Sequence, residues 1–261
     1  MDFFMLLCYT FTDTHFFERR KSMKKESRKT FLCRADLWIL IVAAILLALF
    51  ALHEMTAHTA NRPLTRALLL VVICLLFYAG GYLLAERTGN QRILKGFFLL
   101  FFFLYLYLLL SFTLLDPSMG RGDNSVYDQI EQTRKAYVSR FVNLVPLRSI
   151  YHVYIKGFLG GYVNAYYTLL NLLGNIFALM PLAFFLPYFF PAQKKWYLFL
   201  PTVLLTVILI EALQYLFMIG SCDIDDLILN AGGAFLFFLF LKLPFMIKLL
   251  DRLTKIKPKK S

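Results

Sequence analysis

The sequence predicts an all-α fold, a polytopic membrane bundle of about six transmembrane helices. Hydrophobic residues make up 59% of the 261 residues and charged residues only 17%, which is too apolar for a soluble domain of this length. The apolar residues also lie in long blocks, and a membrane-spanning helix needs roughly 20 mainly apolar residues. The blocks cover residues 37–52, 67–85, 96–115, 166–190, 196–219 and 227–250.

The net charge of +12 is concentrated at the two ends of the chain. Cations precede the first predicted helix from Arg19 to Arg34 and follow the last one from Lys248 to Lys260. Loops rich in Lys and Arg stay on the cytoplasmic side, so both termini of this multi-pass plasma-membrane protein are predicted to be cytoplasmic. The basic ends also predict contact with anionic lipid, and we expect no nucleic-acid partner.

The connection between the third and fourth helices is roughly 50 residues long and is predicted to lie outside, because the helix count requires it. Gly80 and Gly81 in the second helix are predicted to permit close approach of a neighbouring helix. Met23 opens a basic run typical of a cytoplasmic start, so we expect it to be the physiological start, or residues 1–22 to be weakly ordered. The predicted regions are a basic cytoplasmic segment (1–36), a three-helix membrane region (37–115), an outer segment plus three helices (116–250) and a basic cytoplasmic tail (251–261).

Polar side chains stand where spanning helices rarely carry them, and such residues usually mark a site in the bundle interior. One face of the fourth helix carries Asn164, Thr168, Asn171 and Asn175. For Asn171 and Asn175 the alternatives are a ligand site and hydrogen bonds between helices. Pro181 and Pro187 then remove backbone donors, which predicts a kink that leaves room beside the amides.

Glu211 and Gln214 lie one turn apart in the fifth helix, near its predicted outer end. A carboxylate at this depth either pairs with an Arg or an amide that locks the helices together, or serves as a proton acceptor or headgroup ligand. Arg148, which arrives from the outer connection, is the predicted ion partner of Glu211.

Three aspartates open the sixth helix, where carboxylates cap free N–H groups and suit the helix dipole. Asp223, Asp226 and Asn230 share one face of that helix, while Asp225 is predicted to point elsewhere. Three acids and a facing amide exceed what a cap needs. Oxygen ligands could hold a divalent cation, but the sequence predicts no bound metal and no cofactor.

Together these residues predict an outward-facing polar pocket with unassigned catalytic roles. Its predicted members are Asn143, Arg148, Asn171, Asn175, Glu211, Gln214, Asp223, Asp226 and Asn230.

Several motifs resemble the VanZ-like family over about residues 140–241. They are Asn143-Leu-Val-Pro146, Asn171-x-x-x-Asn175, Pro181-Leu, Glu211-x-x-Gln214 and Asp223-Ile-Asp225-Asp226-x-Ile-x-Asn230-x-x-Gly233. Many members carry an Arg just before the Asp pair, where this chain has Gly220-Ser221-Cys222. If that Arg pairs with the glutamate in relatives, the pairing is lost here or is taken over by Arg148.

The resemblance implies an integral membrane protein of a Gram-positive bacterium, and the family's namesake lowers susceptibility to the antibiotic teicoplanin. The first hypothesis is therefore a resistance factor whose pocket engages a lipid or a lipid-linked cell-wall component. The alternative is a membrane enzyme acting on a lipid or polyprenyl headgroup, with Glu211, Asp223 and Asp226 as acid/base residues. A third hypothesis is a small proton-coupled transporter that uses Glu211.

Overall fold

A computed structural model of the chain describes residues 35–55, 63–115, 134–157 and 159–255. Six helices in these ranges are long and apolar enough to cross a membrane, which confirms the predicted all-α membrane bundle. The expectations about Met23, residues 1–22, the cations from Arg19 to Arg34 and the end of the basic tail lie outside the described residues. The six spans are Ala35–Met55, Leu64–Thr88, Gln91–Leu115, Thr168–Phe189, Trp196–Phe217 and Ile224–Leu241.

Short elements connect and extend these spans. Helix α1 covers Ala35–Met55, and α2 and α3 cover Pro63–Thr88 and Gln91–Leu110, with a π-helical turn at Ser111–Leu115. The connection that follows contains α4 (Arg134–Phe141), β1 (Val142–Asn143) and a π-helical segment (Ile150–Gly157). The remaining elements are α5 (Ala165–Ala178), α6 (Leu182–Phe189), a 3-10 turn (Pro191–Lys194), α7 (Trp196–Phe217), β2 (Cys222–Asp223), α8 (Ile224–Leu241) and α9 (Pro244–Thr254).

The described residues divide into two compact units, of which the first contains residues 35–55, 69–98 and 255. Within it, a Cβ on Gly80 would lie 2.8 Å from the Leu40 Cγ, and a Cβ on Gly81 would collide with the Phe97 ring. The prediction that these glycines permit close helix approach is confirmed. The buried Asp36 carboxylate forms an ion pair with Arg87 (3.4 Å) in the same unit.

The second unit contains the described residues 63–68, 99–115, 134–157 and 159–254 and holds the candidate site. Its core is apolar and lies between α5, α6, α7 and α8, where the Phe199 and Phe238 rings stack at 4.3 Å. A Cβ on Gly233 of α8 would overlap the Ile176 carbonyl of α5. The absence of a side chain at Gly233 therefore allows these two helices to come into backbone contact.

The fourth span is interrupted where the prolines predict a kink. Residues 179–181 form a turn between α5 and α6, and the Phe184 N–H donates to the Pro181 carbonyl (3.1 Å). Because Pro181 has no N–H group, the i→i−4 ladder cannot run through it.

The sixth span ends at Leu241, earlier than the block 227–250 predicts. Pro244 begins a separate helix, α9, and the Leu243 N–H donates to the Phe240 carbonyl (3.1 Å) in the turn between them. Proline at the first helical turn is favourable, whereas inside a continuous helix it would remove a hydrogen bond.

Candidate functional site

A two-residue parallel bridge positions the candidate site. Strand β1 pairs with β2 so that Asn143 lies opposite Asp223. Met218 ends α7 in the left-handed conformation (φ 54°) and Gly220 also has a positive φ (65°), which turns the chain sharply into β2. Residues 142–150, here termed the strap, thereby lie against the N-terminus of α8.

Asp223 caps α8 and binds the strap at the same time. Its Oδ1 accepts from the Asp225 N–H (2.9 Å) and from the Asn143 amide (2.9 Å). Its Oδ2 accepts from the Ser149 hydroxyl. The capping interpretation is therefore correct for Asp223, and the same carboxylate also joins two segments that are distant in sequence.

Asp225 is the most deeply buried carboxylate of the site, with 0% exposure. It accepts from the peptide N–H groups of Leu147 and Ile150, the latter at 3.0 Å. Asp225 therefore points elsewhere than Asp226, as predicted, but it belongs to the site, and the predicted set of pocket residues omits it. Helical periodicity assigns faces relative to neighbouring helices, but the partner here is the strap, which crosses the first turn of α8 from another side.

Asp226 lies between α8 and α5, where it accepts a hydrogen bond from the Asn175 amide and is nearly buried. One turn earlier on α5, the Asn171 amide donates to the Tyr154 hydroxyl (3.0 Å). Asn230 instead donates to the Asp226 backbone carbonyl (2.8 Å). Of the predicted amides, Asn175 and Asn171 therefore link separate elements, whereas Asn230 makes a bond within its own helix.

Tyr154 and Ser149 are site residues that sequence reasoning missed. Burial, followed by the charges of Asp226 and Asp223, raises the pKa of Tyr154, so its hydroxyl keeps its proton at neutral pH. Neither residue carries a periodic signal, since both lie in a connection outside the spans. Their positions three and eight residues after the Asn143-Leu-Val-Pro146 motif are the sequence signal that could have indicated them.

Glu211 is joined to the turn that precedes α8. Its Oε2 accepts from the Asp223 N–H (3.1 Å), and the Cys222 thiol donates to the same carboxylate. The predicted ion pair with Arg148 is wrong: Arg148 is exposed and pairs with no carboxylate among the described residues. The strap turns its peptide N–H groups toward α8, and this leaves the Arg148 side chain outside.

The thiol of Cys222 provides a direct test of this arrangement. Burial and the neighbouring Glu211 raise its pKa from 9.0 to about 11, so the reactive thiolate is scarce at neutral pH. We expect Glu211→Gln to move the pKa part of the way back toward 9.0, because the charge is lost while the burial stays. The alkylation rate of Cys222 against pH, with the other three cysteines replaced by serine, measures this shift. An unchanged profile would contradict the contact.

Gln214 is buried (2% exposed), and the elements that it contacts are different from those that the acidic residues contact. Its amide donates to the Thr113 carbonyl (2.8 Å) at the π-helical turn after α3. The Tyr137 hydroxyl of α4 donates to the Gln214 backbone carbonyl (3.3 Å). Gln214 therefore connects α7 to α3, and its backbone carbonyl connects α7 to α4.

The site is acidic, and its four carboxylates bind different segments of the chain. Asp223 and Asp225 hold the strap, whereas Asp226 accepts from α5 and Glu211 accepts from the turn that precedes α8. In the described part of the chain, no group of three or more His, Cys, Asp or Glu side chains has an arrangement suited to a metal ion. Carboxylates, amides and a neutral hydroxyl together can accept from and donate to a polar headgroup.

Fold and site together define a polytopic helical membrane protein with an acidic polar site at one end of its last three spans. The VanZ/LLP1 family model matches residues 102–247, which is more than half of the 261 residues and includes the whole site. The chain belongs to this family, and the match is wider than the predicted likeness over 140–241. Comparison with curated proteins and with solved structures gives no match.

Proposed function

We propose that this protein modifies the cell envelope from the plasma membrane, through a polar site that engages a lipid or a lipid-linked cell-wall component. The observation that carries the proposal is the pair of contacts Asn175–Asp226 and Asn171–Tyr154 at the end of the spans. Family membership supports a VanZ-like membrane role. The link to teicoplanin resistance comes from the resemblance to the family's namesake.

The surroundings of the site suit an amphiphilic ligand. The strap exposes the large apolar side chains Leu144 (70%), Val145 (56%) and Leu147 (58%) beside the polar residues. A molecule with a polar head and an apolar tail could place the head against carboxylates and amides and the tail against this surface. A fully polar metabolite would leave the apolar side chains in water.

The positive-inside rule supports an outer position for the site. The connection between α7 and α8 contains Asp223 and no cation, whereas the connection between α6 and α7 contains Lys194 and Lys195. Under this orientation the site opens toward the leaflet where cell-wall precursors are used.

Deletion of the gene is expected to increase susceptibility to teicoplanin, and the intact gene supplied in trans is expected to restore the original level. The physical reason is that an envelope component bound or altered by the site would no longer be withheld from the antibiotic. The minimum inhibitory concentration measures this, with an antibiotic of unrelated target as control. Equal susceptibility of the deletion and parent strains would remove the antibiotic part of the proposal.

A second candidate is an enzyme acting on a lipid or polyprenyl headgroup. The buried Asp226 carboxylate favours it, because a carboxylate can transfer a proton while the Asn175 amide and the Tyr154 hydroxyl near it orient a headgroup. Lipid extracts of the same strains separate the two candidates. Accumulation of one lipid on deletion supports an enzyme, and an unchanged lipid composition with altered susceptibility supports binding.

A further inference from the structure

Helix α9 is short, amphipathic and located at the end of α8 opposite the polar site. It covers Pro244–Thr254, eleven residues, which is too short to span a membrane. Its Met246 and Leu250 pack against the core of the second unit, and Thr254 is buried. These contacts fix the rotation of the helix about its axis.

A second face of α9 is apolar and exposed. Phe245, Leu249 and Leu253 follow one another at i, i+4 and i+8 and are 57%, 44% and 39% exposed. Phe245 contacts Phe240 of α8 edge to face, at 5.8 Å between ring centroids. Since Phe240 is an exposed residue of a spanning helix, the apolar face of α9 continues the lipid-facing surface of α8.

The third face of α9 carries cations. Lys248 and Arg252 are both exposed and lie four residues apart, next to the apolar face. At the same end of the bundle, α7 begins with the exposed pair Trp196 (55%) and Tyr197 (52%). Aromatic residues of this kind are typical of the membrane–water interface.

We infer that α9 lies in the membrane interface and binds anionic phospholipid headgroups through Lys248 and Arg252, while Phe245, Leu249 and Leu253 enter the acyl region. An anionic lipid matches both features, because its phosphate pairs with the cations and its chains cover the apolar face. By the positive-inside rule this is the cytoplasmic leaflet. The inference is independent of the polar site at the other end of α8.

The test uses the full-length protein, with its native cysteines replaced by serine, in vesicles of phosphatidylcholine alone or mixed equally with phosphatidylglycerol. A nitroxide label on Leu249→Cys is expected to collide with dissolved oxygen and to be shielded from a water-soluble nickel chelate. A label on Lys248→Cys, one residue away, is the matched control and is expected to collide with the nickel chelate more often than with dissolved oxygen. A water-accessible label at residue 249 would overturn the inference. So would spin–spin broadening that disappears on dilution with unlabelled protein, since a second copy would then cover this face.

Lipid preference tests the cations separately. In the mixed vesicles, the combined variant Lys248→Gln and Arg252→Gln is expected to lose several-fold of its enrichment for phosphatidylglycerol over phosphatidylcholine. Both side chains are exposed, so the core contacts of Met246 and Leu250 are kept. An unchanged preference would show that α9 does not select anionic lipid.

Discussion

Replacing Asp225 with alanine is expected to lower the free energy of unfolding by roughly 2–5 kcal/mol and to release the strap from α8. The Asp225 carboxylate is fully buried and accepts from the N–H groups of Leu147 and Ile150. Alanine leaves both donors without an acceptor, and each unpaired buried donor costs free energy. Titration with sodium dodecyl sulfate in mixed micelles measures the loss.

Hydrogen exchange locates the effect. The Leu147 and Ile150 amides are expected to lose protection in Asp225→Ala, while the helical amides in the middle of α7 keep theirs. In Asp225→Asn, the protection of the Leu147 and Ile150 amides should lie between that of the wild type and that of Asp225→Ala, because the asparagine carbonyl oxygen still accepts one hydrogen bond. Arg148→Ala, at an exposed position on the strap itself, is the control and is expected to change stability by less than about 0.5 kcal/mol. An equal effect of both alanine variants would disprove the role of the strap contacts.

Gly233→Ala is expected to destabilise the protein by about 3 kcal/mol, because the new Cβ would overlap the Ile176 carbonyl of α5. A backbone carbonyl in a packed helix cannot move aside as a flexible side chain can. The two helices would have to separate, and the Asn175–Asp226 contact between the same two helices would lengthen. Thermal unfolding in detergent measures the loss of stability.

The neighbouring glycine is a matched control for this prediction. A Cβ on Gly232 would meet nothing within 4 Å. Gly232→Ala is therefore expected to be neutral, or to stabilise α8 by up to about 1 kcal/mol, since alanine favours the helix more than glycine does. If both substitutions shift the melting temperature equally, close packing of α5 on α8 is not the cause.

The long spans could be predicted from the sequence because their signal is a block of about 20 apolar residues, which needs no knowledge of contacts. The end of α8 could not be predicted from hydropathy, since Phe245, Ile247 and Leu249 continue the apolar run into α9. Pro244 is the residue that separates the two helices, and its position is the signal that could have placed the boundary.

Only those residues of the candidate site could be predicted whose signal does not depend on contacts between distant segments. Asn175 could be assigned because it is a polar residue inside an apolar helix, and Asp226 because three acids at the start of the sixth helix exceed what a cap needs. The role of Asp225 depends on the strap, whose bridge of two residues is too short to show strand periodicity. Arg148 was assigned by charge alone, but the strap directs its backbone rather than its side chain toward α8.

We propose that the polar site, rather than the bundle as such, performs the function in the envelope. Complementation of the deletion strain with Asp226→Asn, at a membrane abundance matched to the wild type, tests it most directly. We expect Asp226→Asn and Glu211→Gln to fail to restore the wild-type envelope phenotype, whereas the control Asp251→Asn restores it fully. Full restoration by Asp226→Asn and Glu211→Gln would show that the polar site does not perform the function and that these carboxylates have a structural role only.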